Sequence, residues 1–323
     1  MIILNTVSNE KVWGTSRLHD YFGDPGIEKI GSVYTVSGIK EISCEIIYGD
    51  ENKDLYSAVK ASPEKFGLAN DVDFPLIISF TSADKDLSIQ VHPTDDYAKE
   101  HEKKMIGKSE AWYFIEKPNK GWIYAETDID DKKIIKENIL NKDYESVVNK
   151  VKVDEDDIAF VEAGTIHALT EGSLVYEIQQ SSDITYRLYD YDRLDKDGNP
   201  RQLHLEDGIN TIVPSNKVSI KNFKNDYELK YKPFNLLRTK ISGEYINNNN
   251  IAQAITITNG NAVINGHEII QGQSVLILPG ESVNVDKAAD EVVVATPNLY
   301  FYKETIWVIL KYAHHWCVQI LTI

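Results

Sequence analysis

The stretch GHEIIQGQSVLILPGESVNV, residues 266–285, decides the fold class. Apolar runs of strand length alternate here with the glycines and the proline that favour turns. This pattern predicts short strands joined by tight turns, as in a small jelly roll occupying residues 231–303. Its one histidine, His267, has no Glu or His two residues away on the same strand face, so we expect this block to bind no metal.

The same pattern extends toward the N-terminus. Turn residues separate strand-like runs at residues 32–37, 41–47, 75–81, 87–92, 111–115, 157–161 and 174–180. Such spacing predicts a sandwich or barrel. A polar connector at residues 222–228 divides this part from the block described above. The sequence therefore predicts a mainly β fold with two jelly rolls, at residues 1–230 and 231–303.

Helical signals are fewer than strand signals. Ser62 and Pro63, followed by Gly67, predict a cap, a first turn and a stop around one short helix. Residues 97–105 are a second candidate. Apolar residues recur at helical spacing over residues 132–150, which predicts a small helical insertion at about residues 129–150.

Composition excludes several classes of protein and partner. The net charge of −16 argues against nucleic acid, so any phosphate ester must meet positive charge supplied locally. Two cysteines far apart in the sequence exclude a disulfide framework and a thiolate metal cluster, and they fit a reducing cytoplasmic setting. We find no signal peptide and no apolar run of membrane-spanning length, so no membrane association is expected.

One constellation of residues has the chemistry of a metal site. Gln90 and His92 in LSIQVHP are two residues apart, so their side chains share one face of a strand. Glu110 in GKSEAWYFIE and His167 in VEAGTIHAL supply a carboxylate and a second imidazole. This donor set suits a divalent ion such as zinc, with one position open for water or substrate. Spacing alone leaves open that these histidines are structural.

A second constellation is EIQQSSDITYRLYDYDR, residues 177–193. Arg187 can hold a phosphate through two parallel hydrogen bonds. Glu177 can act as a neighbour of the metal ligands or as a proton-transfer group. A strand edge with surface ion pairs explains the same composition, so both interpretations stay open at this point.

Six motifs occur in a fixed order along the chain. They are KVWGTSRL, LSIQVHP, GKSEAWY, AGTIHAL, EIQQSSDITYRLYDYDR and RQLHLED. From about residue 10 to about residue 300 the chain resembles the short bacterial form of type I mannose-6-phosphate isomerase. The resemblance implies a zinc enzyme built from cupin-type jelly rolls with a helical insertion. It also implies interconversion of mannose 6-phosphate and fructose 6-phosphate.

The resemblance also implies roles for individual residues. The implied metal ligands are Gln90, His92, Glu110 and His167, and the matching pocket residues are Ser88, Lys108, Glu177 and Arg187. We expect Lys108 and Arg187 at the pocket rim, where they hold the phosphate. Glu177 is our first candidate for moving the proton between C1 and C2, with a metal-bound water and Lys108 as alternatives.

The chain departs from the family pattern at four places. Ser79 replaces a lysine, Ser32 replaces a glutamate, and Thr15 replaces the second glycine of the first motif. The sequence from about Lys303 onward does not resemble the family's ending. We predict that the tail, residues 304–323, is dispensable for metal binding and catalysis.

Three functional hypotheses follow. The first is a metal-dependent aldose–ketose isomerase acting on mannose 6-phosphate through a cis-enediol intermediate. The second is a metal-binding cupin that binds a sugar phosphate without turnover. The third is an isomerase of a different phosphosugar. In each case the partner is a small phosphorylated sugar.

Overall fold

The computed structural model describes residues 1–70, 72–195, 198–224 and 227–300. The tail at 304–323 lies outside the described residues. Short α-helices are α1 (Leu55–Ala61), α2 (Asp95–Tyr97), α3 (Lys132–Leu140) and α4 (Leu205–Thr211). The helix α2 continues as a π-helical turn over Ala98–Glu102, and 3-10 turns cover Ser16–Tyr21, Lys40–Ile42, Pro63–Phe66 and Tyr144–Ser146. None of the described helices is both long enough and apolar enough to cross a membrane.

Antiparallel strands make up most of the described regular structure. In the first half they are β1 (Ile2–Leu4), β2 (Val7–Thr15), β3 (Ile30–Val36), β4 (Ile46–Tyr48), β5 (Leu76–Ser82), β6 (Ile89–Val91), β7 (Glu110–Glu116), β8 (Trp122–Ala125), β9 (Lys150–Lys152), β10 (Asp157–Val161) and β11 (His167–Ala168). They continue as β12 (Leu174–Gln180), β13 (Tyr186–Tyr189), β14 (Ser219–Asn222), β15 (Tyr227–Lys230), β16 (Phe234–Thr239), β17 (Gly243–Ile246), β18 (Gln253–Asn259), β19 (Ala262–Ile264), β20 (His267–Ile269), β21 (Ser274–Ile277), β22 (Ser282–Lys287) and β23 (Glu291–Pro297).

The strands form four sheets. Sheet I has the order β13-β6-β11-β8-β9, and sheet II has the order β14-β10-β7-β12-β5-β3-β2. Sheet III has the order β15-β16-β23-β18-β21-β1-β4, and sheet IV has the order β17-β22-β19-β20. The prediction of a mainly β fold with two jelly rolls and a small helical insertion is confirmed.

The four sheets pack in the order I, II, III and IV, because the two middle sheets bury apolar side chains on both faces. On β7, Trp112 and Phe114 enter a core shared with sheet I, whereas Ala111 and Tyr113 enter a core shared with sheet III. Alternating apolar residues of β23 are divided in the same way between sheets II and IV. Successive strand residues point to opposite faces, so one sheet can build two cores. Sheets II and III therefore lie back to back in the middle of the molecule.

The stretch 266–285 folds as its pattern predicts. It forms β20 and β21 and begins β22, and the turns between them use Gly272 and Gly280. Their φ values of 89° and 71° lie in the left-handed region that glycine adopts at little cost. Sheet III also takes in β1 and β4 from the N-terminal part of the chain. The division into domains at 1–230 and 231–303 stays a prediction.

Two predicted elements differ markedly in extent from the observed ones. The helix predicted over 132–150 ends at Leu140, because Asn141 caps it and Lys142 adopts a left-handed φ of 61°. Val147 and Val148 are buried in the same apolar cluster as α3 but lie outside that helix. The strand predicted over 41–47 begins only at Ile46, because a 3-10 turn occupies Lys40–Ile42.

Candidate metal centre and substrate cavity

Three of the predicted ligands converge in the interior of the first jelly roll. His92 follows β6, Glu110 begins β7 and His167 begins β11. Their ligand atoms all lie within 4.8 Å of one another. Glu110 Oε2 is 3.4 Å from His92 Nε2, and Glu110 Oε1 is 3.3 Å from His167 Nε2. Sheets I and II thus contribute one group together, which we call the His–Glu–His group.

Backbone contacts orient both imidazoles toward the glutamate. His92 Nδ1 donates to the carbonyl oxygen of Ile184 at 3.0 Å, and His167 Nδ1 donates to that of Thr165 at 2.8 Å. Since a carbonyl oxygen only accepts, Nδ1 carries the proton and Nε2 presents a lone pair. Gly164, with φ 89°, makes the turn before His167, and its N–H donates to the carbonyl oxygen of His92 at 2.8 Å.

Gln90 lies beside this group. It is the β-sheet partner of His167, and its Nε2 lies 3.4 Å from His167 Nε2. Ser88 Oγ donates to Gln90 Oε1 at 3.2 Å. In this rotamer the amide nitrogen is nearer the group than the amide oxygen. A half-turn of the amide exchanges the two atoms and would direct the oxygen toward the imidazoles.

Lys108 lies at the His–Glu–His group and not at the pocket rim, which corrects our expectation of its position. Its side chain is buried, with Nζ 3.1 Å from His92 Nε2 and 3.4 Å from Glu110 Oε2. Burial favours a neutral acid, but Lys108 and the imidazoles hold the pKa of Glu110 well below its usual range. Burial lowers the pKa of His167 to about 4, which keeps that imidazole neutral at physiological pH.

The donor set fits a divalent ion. Two neutral imidazoles and an ionised carboxylate are typical zinc ligands, and all three residues here are only 1 % exposed. Glu110 Oε2 is buried and accepts no hydrogen bond within the described part of the chain. Lys108 Nζ, 3.4 Å from this oxygen, offsets part of its charge, and a metal ion between Glu110 and the imidazoles would satisfy the oxygen further. The His–Glu–His group can therefore hold a metal ion.

A cavity of about 330 Å³ adjoins the group. The four predicted pocket residues, Ser88, Lys108, Glu177 and Arg187, lie on its wall, and so does the predicted ligand Gln90. Lys108 and Gln90 belong to both the cavity wall and the surroundings of the His–Glu–His group. The volume falls within the range of about 300–1,000 Å³ that small-molecule sites occupy.

Hydroxyl groups hold Glu177 on the floor of this cavity. Thr81 Oγ1 donates to Glu177 Oε2 at 2.6 Å, and Ser79 Oγ lies 3.4 Å from the same oxygen. Ser32 Oγ is 3.0 Å from Thr81 Oγ1. Burial raises the pKa of Glu177, and the negative charge of Glu110 raises it further. Both effects bring this carboxyl closer to the range in which it can exchange protons near neutral pH.

Comparison with known proteins gives a consistent family. The chain is 38% identical over 214 residues to a probable mannose-6-phosphate isomerase, GmuF, of Bacillus subtilis, covering 66% of this chain and 68% of that protein. It is 32% identical over 254 residues to the mannose-6-phosphate isomerase of Streptococcus mutans, covering 75% and 79%. No family model matches the chain.

A solved structure agrees with these relatives. The crystal structure of the mannose 6-phosphate isomerase from Bacillus subtilis matches with a TM-score of 0.79 and 27% identity, covering 91% of this chain and 99% of that one. The chain belongs to the mannose-6-phosphate isomerase family. Two of the departures from the isomerase pattern, Ser32 and Ser79, lie together beside Glu177. With Thr81 they form a group of hydroxyl side chains that we call the hydroxyl wall.

Two cations of this isomerase site were not predicted from the sequence. Lys11 and Arg201 line the cavity together with Arg187. Each lies in one of the six ordered motifs, KVWGTSRL or RQLHLED, to whose basic residues we assigned no role. The second motif also contacts Arg187 directly, because Arg187 Nη1 donates to the carbonyl oxygen of Gln202 at 2.8 Å. Basic residues inside these two motifs were the signal that could have revealed them.

Proposed function

We propose that this chain interconverts mannose 6-phosphate and fructose 6-phosphate and that it uses one divalent ion, zinc, held by Gln90, His92, Glu110 and His167. The observation that carries the proposal is a buried His–Glu–His group beside a cavity that holds a carboxyl group with a raised pKa, in a member of this family. A cytoplasmic location without a nucleic-acid or membrane partner belongs to the same proposal. The net charge of −16 and the free, buried Cys44 support that part.

The reaction moves a proton between C2 and C1 of the open-chain sugar while the carbonyl group shifts by one carbon. A divalent ion at the His–Glu–His group supplies a Lewis acid for the oxygen atoms of the reacting end. Glu177 is the base in our proposal, because its pKa is raised and Thr81 fixes one of its oxygens. It takes the proton from one carbon and returns it to the neighbouring carbon, on the same face of a cis-enediol.

The two long cations have different places in this mechanism. Lys108, buried against the ligand atoms, directs its ammonium group to the oxygen atoms of the reacting end. Arg187 on β13 reaches the cavity from sheet I, and its Nε makes no hydrogen bond within the described part of the chain. We assign Arg187 to the phosphate of the substrate. Ser88, whose hydroxyl group is within hydrogen-bond distance of the Gln90 amide, positions that amide and lines the sugar site.

The decisive experiment is a coupled assay on mannose 6-phosphate with the purified protein. We expect turnover that falls to background after chelation and returns when Zn²⁺ is added back. Metal analysis of the same sample should give one ion per chain. Bound metal without turnover would support the non-catalytic sugar-phosphate binder instead. Turnover that survives complete removal of metal would refute the metal-dependent mechanism.

Variants separate the two residue roles. Glu177→Gln keeps the shape of the side chain but removes the base, so kcat should fall at least about a hundredfold with KM little changed. Arg187→Lys keeps the charge but loses the two-pronged geometry, so KM for the phosphosugar should rise clearly. An unchanged KM in Arg187→Lys would refute the phosphate assignment.

The hydroxyl wall favours one alternative, an isomerase of a different phosphosugar. Ser32 and Ser79 place two small neutral side chains where the family pattern has a glutamate and a lysine. A panel of aldose phosphates that differ in chain length and in the configuration at C2 discriminates between the two functions. The highest kcat/KM with mannose 6-phosphate supports the main proposal, and a higher value with another aldose phosphate supports the alternative.

A further inference from the structure

Three cations from separate segments line the same cavity. Lys11 lies on β2 in sheet II, Arg187 lies on β13 in sheet I, and Arg201 lies between β13 and α4. They are distinct from Lys108, which contacts the His–Glu–His group. The chain as a whole carries a charge of −16, so three positive groups in one cavity are opposite in sign to the net charge of the protein.

These cations are poorly compensated. Lys11 forms no ion pair within the described residues, and the Arg187 guanidinium group donates there only to a backbone carbonyl oxygen. Burial lowers the pKa of Lys11, and Arg201 and Arg187 lower it further. Burial and the charge of Arg201 act on the pKa of Arg187 in the same direction. The cations therefore repel one another across the cavity.

The carboxylate that pairs with Arg201 does not neutralise the three cations. Asp190 accepts from Arg201 Nη1 at 3.1 Å on each of its two oxygens, but it also pairs with Arg193. One negative charge is thus shared between two arginines. Asp183 is a further carboxylate on the cavity wall, and it offsets part of the remaining positive charge. Lys11 and Arg187 still have no carboxylate partner of their own within the described residues.

The fold holds Lys11 in place on the cavity wall. Lys11 and Trp13 are two residues apart on β2, and both line the cavity, as strand periodicity requires. The side chain of Lys11 crosses Gly31 on the neighbouring strand so closely that a Cβ at position 31 would lie 2.4 Å from Lys11 Cγ. A lysine laid across a glycine in this way is directed by packing and not left free in solvent.

We propose that Lys11, Arg187 and Arg201 form the seat for the phosphate group of the substrate, and that Lys11 and Arg201 set the preference for phosphorylated over neutral sugars. The inference rests on the proposed function, because it concerns the same cavity. A phosphate dianion removes the repulsion among three cations that otherwise have too few counter-charges. Arg187 and Arg201 offer planar guanidinium donors, and Lys11 adds a point charge from sheet II.

The test compares Lys11→Gln and Arg201→Gln with Lys29→Gln as the matched control. Lys29 is an exposed lysine of the adjoining surface that does not line the substrate cavity. We expect KM for mannose 6-phosphate to rise about tenfold or more in each of the first two variants, because each loses a charge-assisted bond. The kcat of both variants, the thermal midpoint of Lys11→Gln and the kinetic parameters and thermal midpoint of Lys29→Gln should match the parent, with kcat and KM within about threefold. Arg201→Gln should also lower the thermal midpoint, because buried Asp190 loses one of its two arginine partners.

Calorimetric titration with inorganic phosphate separates this inference from the proposed function. The parent protein and Lys29→Gln should bind phosphate, and Lys11→Gln and Arg201→Gln should bind it about tenfold more weakly. This pattern would support the proposed phosphate-binding site even if mannose 6-phosphate were not turned over. Equal phosphate binding and equal KM in all four folded proteins would overturn the inference while leaving isomerase activity untouched. If one of the two variants fails to fold, the folded one decides the question, because unchanged KM and unchanged phosphate binding in it would overturn the inference.

Discussion

Arg238 joins the two jelly rolls, and replacing it tests how the fold is held together. It lies on β16, where its guanidinium binds Glu291 at 2.5 Å and Asp156 at 2.6 Å and also donates to the carbonyl oxygen of Phe223. Its charged group lies 4.9 Å from the centre of the Tyr113 ring. Glu291 belongs to sheet III, whereas Asp156 and Tyr113 belong to the first roll. Arg238→Met keeps the apolar stem and removes all of these polar contacts.

The expected loss of stability follows from burial. The side chains of Arg238 and Glu291 are 11% and 16% exposed, so the variant would leave a nearly buried carboxylate without its cation. Breaking such a pair costs about 3–5 kcal/mol. Tyr113 and Thr258 still donate to the other oxygen of Glu291, at 3.1 and 2.8 Å, which favours the lower end. Asp156 is 38% exposed, and we count nothing for it because solvent screens that contact.

Thermal unfolding measures this effect. At about 2.1 cal/mol/K per residue, the 323-residue chain has an unfolding entropy of about 0.7 kcal/mol/K, so a loss of about 3 kcal/mol lowers the Tm by about 4 °C. The control Lys240→Met breaks an exposed pair with Asp290 and should lower it by no more than about 1 °C. The double variant Arg238→Met with Glu291→Gln should recover part of the loss. A Tm within about 1 °C of the parent for Arg238→Met alone would refute this reasoning.

Further predictions concern the site and the tail. His92→Ala should lose metal and activity while circular dichroism shows a folded protein, and retention of one ion per chain would contradict the ligand set. Thr81→Val removes a donor to the Glu177 carboxylate, so kcat should fall about tenfold with little change in KM, and Thr81→Ser should restore it. Because that bond stabilises the ionised form, its loss should move the acid limb of the kcat profile to higher pH, and an unmoved limb would count against Glu177 as base. Truncation after Tyr302 should leave metal content and kcat within a few-fold, and loss of metal from a folded truncated protein would show that the tail belongs to the site.

Local pattern was sufficient for short apolar runs with clear turn residues at both ends. The strands predicted at 157–161 and 174–180 agree with the observed bounds, because polar and glycine-containing turns flank each run. The shared face of Gln90 and His92 is another consequence of period two. By contrast, Val147 and Val148 are buried at positions that continue the helical spacing of α3, although they follow a 3-10 turn and lie outside the helix. Burial against a common core produces similar spacing in different backbone conformations, so sequence could not separate them.

The same reasoning could not predict which distant strands pair with each other. The N-terminal strand β1 joins sheet III, where Ile2 pairs with Leu276. Nothing in the local sequence around either residue predicts this pairing. Lys11 and Arg201 likewise reach one cavity from distant parts of the chain. Their motifs were visible in the sequence, but the meeting of their charges depends on sheet order. The burial of Lys108 against the ligand atoms is a tertiary fact of the same kind.

Sheet II connects the stability of the molecule to its chemistry. Its inner face carries Glu177, Thr81 and Trp112, and its outer face shares a core with sheet III. Every described residue that lines the substrate cavity has a number of 201 or lower, so the second roll contributes none of the cavity wall. Its contribution is the apolar surface and the Arg238 contacts that hold sheet II against sheet III. Loss of Arg238 should therefore lower the unfolding temperature without changing KM, whereas loss of Lys11 should change KM without lowering the unfolding temperature.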